Sequence, residues 1–339
     1  MKKQILQIKS KLEDSSIKNI AIISHVNPDG DAVGSSLALY DIFNKMHYSV
    51  NIVTPSDYPD FLNWMQATDK VINAKKNLAL AKNCLEKADI IFCVDFNSIK
   101  RVDIMEEYLK TANAFKILID HHIDPELFAD IIISDTKYSS TAELIYNVIK
   151  ELGYEKLIDK NIAEAIYVGI ITDTGSFSYS NTKSETHVIA AELIKYGINN
   201  SLINDSIYQT YSADRLRLLG HTLCNRLKIF PNKACSYIYL SKEDLANYNY
   251  KDGDTEGIVN YGLSINGINM TAMFIEKENY IKISFRSKGN FSVNDLAKKY
   301  FNGGGHKNSA GGQLECSLGD ATKLFEDITD NIINEITNV

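Results

Sequence analysis

Ile20-Ala21-Ile22-Ile23 runs directly into Ser24-His25-Val26-Asn27-Pro28-Asp29-Gly30-Asp31-Ala32-Val33-Gly34-Ser35, and Leu37-Ala38-Leu39-Tyr40-Asp41-Ile42-Phe43 leads out of it. An apolar run, a polar turn and an amphipathic run read as buried strand, loop and helix. The loop therefore lies at the carboxyl end of a strand, where open α/β sheets bind their ligands. It carries His25, Asp29 and Asp31 within seven residues. Gly30 between the two acids is expected to form a turn that lets them converge. Two carboxylates and an imidazole make an oxygen-rich donor set suited to Mn²⁺ or Mg²⁺. The same residues also read as a polar turn capping the next helix, with Asp31 as N-cap, and the loop alone does not separate the two readings.

Working outward, Tyr48–Val53, Ala88–Asp95, Phe115–Ile119 and Ile131–Ser134 repeat the apolar-strand pattern, with helical stretches between most of them. Apolar strands alternating with helices predict an α/β fold with a parallel sheet covered on both faces. In such a sheet the carboxyl ends share one edge. Asp95 and Asp120-His121-His122 end two of the strands, so they are expected to meet the first loop. A helix follows from Ser140-Thr141-Ala142-Glu143 to Leu152-Gly153, with a hydroxyl cap, an early acid and a terminal glycine. The next, from Ile162 to Ile171, delivers Thr172-Asp173-Thr174-Gly175 at its end. His25, Asp29, Asp31, Asp95, His121 and Asp173 thus form a candidate set of two imidazoles and four carboxylates. That is enough for a pair of ions bridged by one carboxylate, an arrangement that acts on phosphoryl groups.

The character changes after Tyr179. Residues 184–228 read as helical throughout, and strands reappear at Cys235–Leu240, Met270–Ile275 and Tyr280–Arg286, the last two joined as a hairpin at Lys277-Glu278-Asn279. Three segments are expected: a catalytic domain over 1–187, a helical linker over 188–230 and a smaller mixed α/β domain over 231–339. The last contains Asn302-Gly303-Gly304-Gly305-His306-Lys307-Asn308-Ser309-Ala310-Gly311-Gly312, whose bare backbone amides are suited to an anion.

Bulk properties set bounds. A chain of 339 residues is long for one core. The net charge of −7 argues against long duplex nucleic acid, whose binding rests on many cationic contacts. No apolar run reaches the roughly 18 residues of a membrane span, and no signal peptide is visible. Five scattered cysteines without a Cys-x-x-Cys pair read as reduced thiols of a cytoplasmic protein.

His25-x3-Asp29-Gly30-Asp31, Asp95, Asp120-His121-His122 and the Asp173 segment resemble the four motifs of the DHH phosphoesterase superfamily. Gly303-Gly304-Gly305-His306 resembles the signature of the C-terminal domain that accompanies one branch, and the likeness spans nearly the whole chain. The resemblance implies two Mn²⁺ ions, with Mg²⁺ as the alternative. His25 and Asp29 would hold one ion, Asp31, His121 and Asp173 the other, and Asp95 would bridge. Asp120 would orient a ligand imidazole, and His122 would face the substrate phosphate or protonate the leaving oxygen. Arg286 and Gly303, Gly304, Gly305 and His306 would grip the nucleotide, with Arg101 a further phosphate contact. Expected substrates are oligoribonucleotides a few residues long, linear dinucleotides such as pApA, and 3′-phosphoadenosine 5′-phosphate (pAp), and the resemblance suggests a homodimer. A pyrophosphatase or exopolyphosphatase of the same superfamily is the alternative. It would carry a Ser-Arg-Lys-Lys-type motif where this chain has Arg286-Ser287-Lys288-Gly289. A nucleotide-binding protein without turnover would need a broken ligand set, and all six positions are filled.

Overall fold

The computed structural model describes residues 2–337, which divide between Thr210 and Tyr211 into two compact units. The strands of the first unit are β1 (Asn19–Ile23), β2 (Ser49–Thr54), β3 (Val71–Asn73), β4 (Ile90–Val94), β5 (Phe115–Asp120) and β6 (Ile131–Ser134). Its helices are α1 (Lys2–Leu12), α2 (Gly30–Lys45), α3 (Leu78–Lys87), α4 (Glu106–Thr111), α5 (Thr141–Leu152), α6 (Lys160–Asp173), α7 (Ser184–Ile194) and α8 (Asn200–Tyr208). All strand pairs are parallel, in the order β3-β2-β1-β4-β5-β6. The chain winds outward from β1 in one direction, then returns to β4 and winds outward in the other. The crevice between the carboxyl ends of β1 and β4 is the topological switch point of this doubly wound sheet.

Strand periodicity explains the two-sided cover. Ile20, Ile22, Ile90, Phe92, Ile117 and Ile119 face one core with residues of α1, α2, α5, α6, α7 and α8. Ala21, Ile23, Ile91, Cys93 and Leu118, one residue out of step, face the other with α3 and α4. The apolar side of the segment after Tyr179 is part of this first core, through Ile189, Leu193, Ile203 and Ile207.

The helix pair α2 and α6 crosses at backbone contact. A Cβ on Gly34 would collide with the carbonyl oxygen of Ala165, and one on Gly30 would lie 2.5 Å from the Thr172 side chain. Gly30 is already the first residue of α2, and Asp29 rather than Asp31 is the N-cap, accepting from the amides of Asp31 and Ala32 at 3.0 Å each. Gly30 is required by this close approach and not by a turn.

The second unit contains α9 (Ala213–His221), β7 (Leu227–Phe230), β8 (Cys235–Leu240), α10 (Lys242–Asn247), α11 (Ile258–Leu263), β9 (Met270–Glu276), β10 (Ile281–Ser287), α12 (Val293–Tyr300), β11 (Gly304–His306), β12 (Ser309–Leu314), α13 (Leu318–Asn331) and α14 (Ile333–Thr337). Its mixed sheet has the order β11-β12-β10-β9-β8-β7, with β8 and β9 parallel and the other pairs antiparallel. The expected hairpin is β9–β10. The uninterrupted helical reading of 184–228 fails at 195–199 and 209–212, which separate α7, α8 and α9, and at its end, where Leu227 and Lys228 open β7. The glycine-rich stretch forms the strand pair β11–β12. Gly303 and Gly312 lie against the backbones of Gly311 and Phe301, where no side chain fits.

Candidate active site

Apart from Arg101, which lies within the 3₁₀ segment Ile99–Met105 that follows β4, every site residue expected in the first unit lies at or just beyond a carboxyl strand end, or at a helix terminus. His25 follows β1 and is 4 % exposed. Its Nδ1 lies 2.8 Å from the Val26 carbonyl, which fixes that nitrogen as the donor and leaves the Nε2 lone pair facing the crevice. Nε2 is 3.4 Å from Asp95 Oδ2. Asp95 follows β4 in a left-handed conformation (φ +64°), which is uncommon for a side-chain-bearing residue. Its other oxygen, Oδ1, lies 3.7 Å from His121 Nε2 and 3.8 Å from His122 Nδ1. His121 uses the same device as His25: Nδ1 is 3.3 Å from the Tyr138 carbonyl, and Nε2 is 3.4 Å from Asp173 Oδ2 and 3.9 Å from Asp31 Oδ2.

Asp31 enters from the first turn of α2 and is almost fully buried. It accepts from the amides of Thr141 at 2.6 Å and Ala142 at 2.8 Å, at the positive end of α5. Asp173 closes α6, and Asn181 holds its carbonyl. Thr141 Oγ1 donates to Asp95 Oδ1 at 2.8 Å. A Cβ on Gly169 would fall on that of Ala142 and 2.8 Å from Asp31 Oδ1, so this glycine lets α2, α5 and α6 converge.

Potential ligand atoms of His25, Asp29 and Asp95 lie within 4.8 Å of one another, as do those of Asp31, His121 and Asp173, and those of Asp95, Asp120 and His122. The electrostatics match this crowding of acids. Burial pushes the Asp31 carboxyl well above the usual range, and the charges of Asp95, Asp173 and Asp29 add to it. Burial also opposes ionisation of Asp95, but the His25 hydrogen bond and the charges of His122, His25 and His121 hold it below the usual range. Burial disfavours a proton on His25, yet its bond to Asp95 and the charges of Asp29 and Asp95 raise its pKa, with Arg101 opposing. His122 is likewise raised against burial, by the Asp120 hydrogen bond and the charges of Asp120 and Asp95, again with Arg101 opposing. Arg101 is thus close enough to act on both rings, and its carbonyl accepts from the Val26 amide at 2.7 Å.

The donor set fits hard or borderline divalent cations. It has only imidazole nitrogen and carboxylate oxygen, with no sulfur. Its imidazoles are pre-oriented by backbone carbonyls, and its like charges need a counter-ion. Asp120 is fully buried; Oδ1 lies 2.7 Å from His122 Nδ1, and Oδ2 has no hydrogen-bond partner among the described residues.

In the second unit, Arg286 sits on β10 opposite Thr271 and Ser309. Its Nη1 donates to the Phe285 carbonyl. Within the glycine run, the Gly303 amide donates to Ala297 O, and the Gly305 amide donates to Asn294 Oδ1 at 2.9 Å. Those two amides are engaged inside the unit, unlike the bare cradle expected from composition.

Thr141 and Gly169 carried no chemical signal in the sequence. Thr141 reads as part of a helix cap and Gly169 as an interior helix glycine. Their partners lie 46 residues away for the Thr141 hydroxyl and 138 away for Gly169 and Asp31. A glycine inside an apolar helix was the one available hint of a close approach.

Residues 19–170 match the DHH family N-terminal domain, and residues 233–336 match the DHHA1 domain. The chain belongs to the DHH family and is a hydrolase of phosphate esters. It is 31 % identical over 312 residues to the bifunctional oligoribonuclease and PAP phosphatase NrnA of Bacillus subtilis, covering 91 % of this chain and 93 % of that one. The protein of the same name from Thermus thermophilus is 28 % identical, with 94 % and 90 % covered. The crystal structure of an exopolyphosphatase-related protein from Bacteroides fragilis superposes with a TM-score of 0.94 at 39 % identity, covering 99 % of this chain and 98 % of that one. Among the described residues, no helix is long and apolar enough to cross a membrane.

Proposed function

We propose that the chain hydrolyses short oligoribonucleotides, including linear dinucleotides such as pApA, and pAp, using two divalent cations, Mn²⁺ first and Mg²⁺ as the alternative. The observation that carries the reading is Asp95, which turns one oxygen toward His25 and the other toward His121. In this reading His25 and Asp29 hold one cation, Asp31, His121 and Asp173 hold the second, and Asp95 lies between them. Cations bound there supply Lewis-acid polarisation of the phosphoryl group and acidify the attacking water. The remaining work falls to side chains. Asp120 fixes the His122 ring through Nδ1, so that Nε2 meets the phosphate and donates a proton to the leaving oxygen as the phosphorus–oxygen bond breaks. Arg101 offsets phosphate charge. In the C-terminal unit, Arg286 and the segment Gly303–His306 hold the nucleotide portion, with His306 and the remaining backbone donors as its polar groups. The relatives named oligoribonuclease and PAP phosphatase, matched over nine-tenths of both chains, support this substrate class.

The name of the Bacteroides fragilis neighbour favours a second reading, hydrolysis of inorganic polyphosphate or pyrophosphate. A panel with Mn²⁺ separates the two: pAp, pApA, short RNA, cyclic dinucleotides and pyrophosphate. Release of mononucleotide from pApA and of phosphate from pAp, with pyrophosphate spared, is the expected result. Preference for pyrophosphate overturns it, and no turnover of any phosphoester leaves the nucleotide-binding reading. The proposal extends to a cytoplasmic homodimer. Free thiols at Cys84, Cys93, Cys224, Cys235 and Cys316 support the compartment, and light scattering reads the assembly.

A further inference from the structure

We propose that Thr141 is a positioning residue for the cation cage. It sets the rotation of the Asp95 carboxylate through its hydroxyl, while the first amides of its helix set that of Asp31. The inference rests on the reading of the acidic cluster as a cation site. A carboxylate turns about a broad, shallow torsion, so its oxygens are not placed by backbone alone. Asp95 most needs an external constraint, because it must aim its two oxygens in different directions from a strained left-handed backbone.

Thr141 supplies that constraint. Its hydroxyl reaches 46 residues across the fold to Oδ1 at 2.8 Å, while its own amide holds Asp31 Oδ2 at 2.6 Å. A hydroxyl at a helix start ordinarily bonds within its own turn or to water. Here Ser140 performs the local task, accepting from the Glu143 amide at 3.0 Å, which releases Thr141 to face inward, fully buried. Glu143, also buried, accepts from the Ser139 amide and hydroxyl and from the Thr186 hydroxyl of α7, and so pins the loop that presents Thr141. One residue thereby couples the carboxylate shared between the two proposed cations to a carboxylate of only one of them.

The test compares Thr141→Val, which keeps shape and loses the donor, with Thr141→Ser, which keeps the donor. Mn²⁺ binding to each metal-free protein is measured by calorimetry, beside turnover of pApA and circular dichroism. The expected result is a 10- to 100-fold weaker Mn²⁺ affinity in Thr141→Val at unchanged helix content, restored to near wild type in Thr141→Ser, the usual range for residues that orient metal ligands. Should Thr141→Val fail to fold, Thr141→Ala against Thr141→Ser carries the same comparison. Wild-type affinity in Thr141→Val, or a loss that Thr141→Ser does not restore, overturns the role of the hydroxyl. Absence of Mn²⁺ and Mg²⁺ binding by the wild type overturns instead the cation reading beneath it.

Discussion

Gly169→Ala places one methyl group where three helices meet. The added carbon would sit 2.8 Å from Asp31 Oδ1, and closer still to the Ala142 methyl. Ordinary carbon–oxygen contacts need about 3.3–3.6 Å, so the shortfall is at least about half an ångström on one side. Neither neighbour is the far end of a flexible chain: Ala142 is the second residue of α5, and Asp31 is held by two amides. The strain must therefore move α6 away from α2 and α5. Overpacking of this kind costs about 1–3 kcal/mol. Replacing an interior helix glycine returns about 1 kcal/mol, leaving a net loss of about 0–2 kcal/mol. Function should suffer more than stability, because Asp31 and Asp173 ride on the displaced helices, and a shift near 1 Å at a reacting centre costs about 100-fold in rate. The assay pairs urea denaturation with Mn²⁺-dependent hydrolysis of pApA. Gly153→Ala is the control: its φ of +83° makes it strained, but no atom lies within 4 Å, so it should lose stability without losing turnover. Turnover within twofold of wild type in Gly169→Ala would show that helix convergence at Asp31 does not set the site.

Asp95→Asn keeps the shape but removes the charge shared by both halves of the cluster; turnover should fall by at least about 1,000-fold at an unchanged circular dichroism spectrum, and near-normal hydrolysis would remove its bridging role. Adding Mn²⁺ at about 100 times its dissociation constant should stabilise the first unit by about 2.7 kcal/mol, or about 5–10 °C in melting temperature, and a chelator should reverse this. Failure of both ions to shift the melt would argue against a cation site. Outside the cluster, burial and the nearby Asp159 charge push the Asp41 carboxyl up to about 6, against Lys45. The native state therefore holds this proton more tightly than the unfolded chain, and stability declines as pH rises from about 4 through 6. Asp41→Asn should raise stability by about 1 kcal/mol at pH 8, allowing for solvent screening, and give no gain at pH 4. Equal effects at both pH values would remove Asp41 as the cause.

The parallel sheet was readable because β1, β4 and β5 are apolar runs long enough to stand out, each ending in a polar chemical residue. Helix α5 was readable almost to the residue, since Ser140 caps it and Gly153 ends it in the left-handed conformation. The three-residue edge strand β3 escaped because Val71-Ile72-Asn73 is too short to show a period. Strands β11 and β12 escaped because glycine has low strand propensity, yet close backbone approach there requires it. The helical period of 184–208 was plain, but periodicity does not say which core an apolar face joins. Asp29 and Asp31 were singled out together, and the cap was assigned to the wrong one, since either acid satisfies the local rule. What no local pattern contains is long-range support: Thr141 reaching Asp95, Gly169 admitting Asp31, and Val26 and Tyr138 lending carbonyls to imidazoles.

The six proposed ligands span residues 25 to 173, and the sheet that gathers them pairs β1 with a strand about 70 residues downstream. A nascent chain that has emerged only as far as His121, just past β5, offers both imidazoles and three of the four acids, but Asp31 still lacks the amides of α5 and Asp173 has not emerged. Capture of the proposed cations would therefore follow closure of nearly the entire first unit, a late lock on an architecture already built and not a seed around which it condenses.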